Sequence, residues 1–356
     1  MPGVTIENPP LPGTGYSNAL WISADTVAWP TKLATDGATY ELVGHPEITL
    51  TPGELTAEEK AAFPRTTTGF IALRMVKDGA PLTDAFAAEL LKGGLVFEAK
   101  VGDDVVASTG AQISGVIDDV YAAAKEADLG IVWNGNVPTL NLWAPTATDV
   151  SLNLWPVDGG GDATVIPATF DAASGVWSVE GQADWANYQF LWDVNVWVDS
   201  EGEVVHNLVT DPYSVGLTVN SLRSVIVNLD DDAWKPAGWD NTQDALPAMR
   251  NDAAQTIYEL HVRDFSAIDE TVTEANRGSY KAFTEAGSNG MQHLSELADA
   301  GMTTVHLLPT FDISTATIPE DRADQLVPDI PTDAGAASTA QQLAVSLVEN
   351  QDAFNW

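Results

Sequence analysis

The sequence predicts a multidomain chain: an α+β domain, an immunoglobulin-like β-sandwich, and then a segment of βα units. Its 356 residues are enough for two or three domains at about 100–200 residues each. Strand-like and helical runs are mixed in the first third, alternating strands fill the middle, and a strand–helix–strand pattern follows. The predicted parts are a lead-in (1–18), the α+β domain (19–131), the sandwich (132–234), a linker (235–254) and the βα segment (255–356).

The first domain combines both element types. ALWISADTVAWP, ATYELVG, LVFEAKV and VVASTGAQ have the composition of strands. Helices are predicted over Thr56–Ala62, where Thr56 can cap the first turn, over Asp84–Lys92, which two glycines end, and over VIDDVYAAAKEADLG. We therefore expect an α+β domain behind a flexible Pro/Gly-rich lead-in.

The middle of the chain has the alternation of half-buried strands. LNLWAPTATDVSLNLWPVDGGG predicts two strands, and ATVIPATF, GVWSVEG, NYQFLWDVNVWVD and EVVHNLV predict four more. Short alternating strands at about ten-residue spacing are typical of a β-sandwich. The linker that follows is rich in Pro, Gly and Asp.

The last part has the pattern of a βαβ unit. TIYELHVRDF and MTTVHLLPTF predict strands, and MQHLSELADA between them predicts a helix that Gly301 ends. A Pro-containing loop comes next, and a helix is predicted over Ser338–Glu349.

Composition excludes several classes of function. The chain has 51 Asp and Glu against 15 Lys and Arg, for a formal net charge of −36. Such a charge repels nucleic acids and anionic membrane surfaces, whereas a neutral glucan feels no net force. There is no Cys, the five His are scattered without an HExxH pair, and no EF-hand loop or bilayer-spanning apolar run is present. We expect no nucleic-acid partner, no membrane insertion and no zinc site.

An ordered series of motifs carries a family resemblance. The motifs are WAPTA (143–147), TDPYS (210–214), NSLRS (220–224), IYELHVRDFS (257–266), VHLLPTFD (305–312) and DAFNW (352–356). Together they resemble pullulanase-type debranching enzymes of glycoside hydrolase family 13. LWISADTVAWP and TGAQISGVIDDVY resemble the additional N-terminal domain of these enzymes.

The resemblance implies an architecture and an activity. The sandwich would be a family 48 carbohydrate-binding module, and residues from 255 onward would begin a (β/α)8 barrel. The family hydrolyses α-1,6-glucosidic links in pullulan, glycogen or limit dextrins, so the expected partner is an α-glucan. No cofactor is required, although calcium is possible in the parent enzyme. An extracellular or cell-surface bacterial location is expected for that parent, while this chain begins without a signal peptide.

The resemblance also implies that the catalytic residues lie elsewhere. Retaining glycosidases use two carboxyl groups, which this family carries on later barrel strands, and a whole barrel takes roughly 250 residues. Residues 255–356 hold two predicted strands, so we expect no catalytic residue here, an inactive chain, and a missing barrel segment that covers the exposed strand edge. Asp312 and Glu320 are expected to be structural or at the barrel rim.

The sandwich supplies the candidate sugar-binding residues. A Trp ring can stack on a sugar, and the candidates among 12 Trp are Trp155, Trp177, Trp192 and Trp197. Trp192 and Trp197 are five residues apart, so on one strand they face opposite sides and one belongs to the core. Two alternatives stay open: a complete, non-catalytic glucan-binding or assembly protein, and a branching or isoamylase-type enzyme.

Overall fold

The computed structural model describes residues 11–218, 221–241, 251–310, 331–332, 335 and 338–349. It forms two compact units, residues 1–228 and 229–356. The first unit contains the N-terminal domain and the sandwich, and the second contains the βα segment.

The N-terminal domain is a closed β-barrel with short helices. Its strands are β1 (Ser17–Ser23), β2 (Thr26–Pro30), β3 (Thr39–Leu42), β4 (Ile48–Gly53), β5 (Phe70–Lys77), β6 (Ala80–Pro81), β7 (Val96–Val101) and β8 (Asp104–Gln112). The sheet runs in the order β2-β1-β8-β7-β3-β4-β5-β6, and an additional pairing of β5 with β2 closes seven of these strands into a ring. Large side chains such as Trp21, Trp29 and Phe97 fill its core.

The three helices of this domain are α1 (Ala57–Ala62), α2 (Asp84–Leu90) and α3 (Ser114–Val120). In α1 the Thr56 hydroxyl accepts from the Glu59 N–H and the Glu59 carboxylate accepts from the Thr56 N–H, which is a capping box. The third helix is shorter than its sequence pattern predicts, since a separate 3₁₀ turn covers Ala122–Glu126.

The α+β prediction for this domain therefore underestimated the sheet. Both element types are present, but the β2–β5 pairing, which joins Thr26 to Arg74 and Pro30 to Phe70, turns the sheet into a barrel. Closure removes the unpaired edges of the ring strands, which would otherwise expose a row of backbone donors and acceptors.

The second part of the first unit is a β-sandwich. Its strands are β9 (Gly130–Asn134), β10 (Val137–Trp143), β11 (Ala147–Trp155), β12 (Thr164–Pro167), β13 (Thr169–Asp171), β14 (Val176–Glu180), β15 (Gln189–Val198), β16 (Glu203–Val209) and β17 (Ser224–Val225). One sheet has the order β13-β14-β10-β9 and the other β12-β11-β15-β16, with β17 added to β15. Alternate residues of β11 and β15, such as Leu152, Phe190 and Trp192, are buried in the core between the sheets.

The second unit contains one described βαβ unit. Its elements are α4 (Val262–Ser266), α5 (Asn289–Asp299), α6 (Ala340–Glu349), β18 (Ile257–Leu260) and β19 (Thr304–Leu307). Strands β18 and β19 pair in parallel. The Ser288 hydroxyl caps α5, and Gly301 follows its end with φ +103°.

The first predicted strand of this unit was too long. It ends at Leu260, and the next residues form α4, because the His261 side chain accepts from the Asp264 N–H and begins a helix. The described residues contain this single βαβ unit rather than a closed (β/α)8 barrel, so the barrel stays a prediction.

Candidate functional site

The outer face of the β12-β11-β15-β16 sheet carries an aromatic site at one end. Trp155 is the last residue of β11 and lies opposite Gln189, the first residue of β15. The Arg223 guanidinium lies over the indole of Trp155, with Cζ 3.8 Å from the ring centroid. We call these three residues the Trp155 site.

Hydrogen bonds hold the polar members of the Trp155 site in place. Arg223 Nη1 donates to the Gly159 carbonyl at 2.9 Å and to Gln189 Oε1 at 3.2 Å. Gln189 Nε2 donates to the Val157 carbonyl at 3.0 Å. Gly159 has φ +68°, and a Cβ there would come within 2.7 Å of Gln189 Oε1. Glycine is therefore needed for the loop to approach this closely.

The geometry suits a ligand that is both flat and rich in hydroxyls. Trp155 is half-buried, so part of its indole remains accessible. Within the described residues, the hydrogen bonds of the Arg223 side chain use only Nη1, and a guanidinium carries further N–H donors on Nε and Nη2. An indole beside fixed donors and acceptors can stack on a sugar ring and bind its hydroxyls.

Two of the predicted sugar-binding tryptophans lie in the core. Trp192 has no exposed surface, and its Nε1–H donates to Asp211 Oδ2 at 3.3 Å. Trp177 is 7% exposed, and its Nε1–H donates to the Ala144 carbonyl at 3.0 Å. No sugar can stack on either ring without unfolding the sandwich, because neither offers an accessible face.

The structure does not bring Trp197 to the Trp155 site. Trp197 is half-buried near the other end of β15, and its Nε1–H donates to Asp199 Oδ1 at 2.7 Å. It lies eight residues along the strand from Gln189, or about 26 Å at a strand rise of 3.3 Å per residue. The alternation argument placed Trp192 and Trp197 on opposite faces, which agrees with their burial.

Two functional side chains of the Trp155 site were not among the sequence candidates. Arg223 belongs to the NSLRS motif, and Gln189 begins the NYQFLW strand. The signal that could have identified them is the strand register, which sets Gln189 opposite Trp155. Asp312 and Glu320, the predicted rim residues, lie outside the described residues.

Other site classes find no support in the described part of the chain. These residues contain no cluster of three or more His, Cys, Asp or Glu side chains arranged to bind a metal ion. No described helix has both the length and the apolarity needed to cross a membrane.

Comparison with known proteins matches both domains of the first unit. The profile of the Pullulanase N2 domain matches residues 16–119. The profile of Carbohydrate-binding module 48 (Isoamylase N-terminal domain) matches residues 128–214. Pullulanase 1, chloroplastic, of Arabidopsis thaliana is 32% identical over 363 residues, which cover 96% of this chain and 36% of the plant protein.

The chain resembles the N-terminal part of pullulanases. The crystal structure of PulA from Klebsiella oxytoca matches with a TM-score of 0.77 and 30% identity over 95% of this chain and 32% of that one. Klebsiella pneumoniae pullulanase complexed with maltotriose matches with a TM-score of 0.75 and 31% identity over 87% of this chain and 30% of that one. The chain therefore spans about a third of the length of these relatives.

Proposed function

We propose that this chain is the glucan-binding front part of a pullulanase-type enzyme that hydrolyses α-1,6-glucosidic links in pullulan, glycogen or limit dextrins. The observation that carries the proposal is the Trp155 site, which pairs a half-buried indole with Arg223 and Gln189 on the outer face of a module of carbohydrate-binding type. A structural relative that was crystallised with maltotriose supports an α-glucan as the ligand.

The charge of the chain favours the same ligand class. With a formal net charge of −36, the chain repels anions at long range, whereas a neutral oligosaccharide meets no such barrier. Binding would then depend on stacking and on hydrogen bonds to Arg223 and Gln189, and it would respond weakly to salt.

We further propose that the 356-residue polypeptide does not hydrolyse glucans by itself. Retention requires two carboxyl groups about 5–5.5 Å apart on either side of the scissile bond, shielded from bulk water. In the described part of the second unit, Glu259 is 57% exposed and faces His306, with 3.3 Å between Oε2 and Nδ1. Asp269 accepts from the Thr271 and Gly290 N–H groups, which is a structural use of a carboxylate.

The binding proposal can be tested by electrophoresis of the full chain through native gels that contain pullulan. We expect retardation of the wild type and a clear loss of retardation in Trp155→Ala. Trp234→Ala is the matched control, because Trp234 is 52% exposed in the second unit and contacts no part of the Trp155 site. Equal migration of the wild type and Trp155→Ala at every pullulan concentration would remove the Trp155 site from the proposal.

The inactivity proposal needs a separate assay. Purified chain incubated with pullulan should release no reducing sugar above a heat-denatured sample. Release that scales with the amount of folded chain would show that carboxylates of this chain are sufficient for hydrolysis.

A further inference from the structure

A small cavity opens between the N-terminal barrel and the sandwich. Its volume is about 160 Å³, and its lining comes from both domains of the first unit. The residues that matter for its chemistry are Ser17, Thr146, Trp197 and Asp199. We call this cavity the Trp197 crevice.

The crevice combines apolar walls with a few oriented polar groups. Leu91, Leu95 and Val196 contribute aliphatic surface beside the indole of Trp197. The hydrogen bond from Trp197 Nε1 to Asp199 Oδ1, 2.7 Å long, fixes both the ring and the carboxylate. A few convergent polar groups in a mostly apolar concavity are the usual composition of a small-molecule site.

Two glycines keep the crevice tight and open. A Cβ on Gly94 would lie 2.8 Å from Cζ2 of Trp197, so the barrel backbone touches the edge of the indole. A Cβ on Gly110 would lie 3.0 Å from the Ser17 hydroxyl oxygen. Neither position has a positive φ, so the reason for glycine there is space rather than backbone conformation.

We propose that the Trp197 crevice binds one glucose unit of an α-glucan, as a second site separate from the Trp155 site. The inference rests on the proposed glucan-binding function. The carboxylate of Asp199 disfavours an anion and can accept hydrogen bonds from sugar hydroxyls, while Ser17 and Thr146 line the same space. The volume is well below the roughly 300–1,000 Å³ of drug-sized ligand sites, and it suits a single ring.

The distance between the sites gives the proposal a measurable consequence. About 26 Å of strand β15 separates Gln189 from Trp197, so a trisaccharide cannot reach both sites. A long pullulan chain can bridge them, and binding at one site then raises the effective concentration of glucan at the other. Loss of the crevice should therefore weaken pullulan binding about tenfold or more and leave maltotriose binding at the Trp155 site unchanged.

The test compares apparent dissociation constants for pullulan by affinity electrophoresis of the full chain. We expect Trp155→Ala to keep a residual retardation, and we expect the added change Trp197→Ala or Gly94→Ala to abolish it. Gly94→Ala retains the indole and disturbs only its position. Gly53→Ala is its matched control, since a Cβ on Gly53 meets nothing within 4 Å.

The outcomes separate the two proposals. Wild-type affinity in both Trp197→Ala and Gly94→Ala would overturn the second site and leave the Trp155 site standing. Loss of affinity in these variants, combined with wild-type affinity in Trp155→Ala, would support the crevice and remove the Trp155 site. A wild-type chain that pullulan does not retard would overturn both.

Discussion

Asp211 is a buried carboxylate whose removal should destabilise the sandwich. It is 4% exposed, and it accepts hydrogen bonds from the Tyr213 N–H at 2.7 Å and from Trp192 Nε1 at 3.3 Å. Its own N–H donates to the Ser224 hydroxyl at 2.9 Å. The side chain therefore joins the turn after β16 to the core indole of β15.

The cost of Asp211→Ala follows from these contacts. Hydrogen bonds to charged groups contribute about 1.5–3 kcal/mol each, and a buried donor left without a partner costs about 1–3 kcal/mol. Because the bond from Trp192 is long, we expect a loss of about 2–4 kcal/mol in the free energy of unfolding. Asp211→Asn keeps one carbonyl oxygen as an acceptor and should lose less.

The assay is urea unfolding of the full chain followed by tryptophan fluorescence. Asp162→Ala is the control, since Asp162 is exposed and should change stability by less than about 0.5 kcal/mol. An Asp211→Ala variant as stable as Asp162→Ala would refute the assignment of Asp211 as a buried acceptor.

The pH dependence gives a second check on the same residue. Burial raises the pKa of Asp211 above its ordinary value. The folded state therefore holds this proton more tightly than the unfolded state, and the resulting stability is present at acid pH and lost as pH rises through the folded pKa. The stability difference between the wild type and Asp211→Asn should thus shrink from acid to neutral pH, and a difference that grows would contradict the raised pKa.

Three further predictions concern the first unit. Thr56→Ala removes the capping box of α1 and should lower the free energy of unfolding by about 1 kcal/mol, as measured by urea titration. The hydrogen bond from Arg74 lowers the pKa of Glu59, so its stabilising contribution should be present at neutral pH and lost as pH falls through the folded pKa; a Glu59→Gln variant should lack this acid-side loss. Tyr121→Phe removes the 3.2 Å hydrogen bond to the Pro145 carbonyl and should cost about 1 kcal/mol, whereas unchanged thermal unfolding would show that this buried hydroxyl contributes nothing.

Local patterns predicted the sandwich and the helix starts. Alternation along β11 and β15 follows directly from one buried and one outer face, so it is readable without a structure. Thr56 was identified as a cap because a hydroxyl before two acids has a direct structural use.

Long-range pairing could not be read from the sequence. Closure of the N-terminal barrel depends on Thr26 meeting Arg74, and neither flanking sequence specifies its partner. The Trp155 site has the same character, since Arg223 reaches Trp155 only after β17 and β15 have paired. Burial sorted the four candidate tryptophans into two core residues and two half-buried ones.

The most direct test of glucan binding is a maltotriose titration of the full chain labelled with 5-fluorotryptophan and observed by ¹⁹F NMR. The account predicts a saturable shift of the Trp155 signal, assigned with Trp155→Phe, while the signals of the core residues Trp177 and Trp192 stay in place. A Trp155 signal that does not move at saturating maltotriose, in a chain that remains folded, would contradict it.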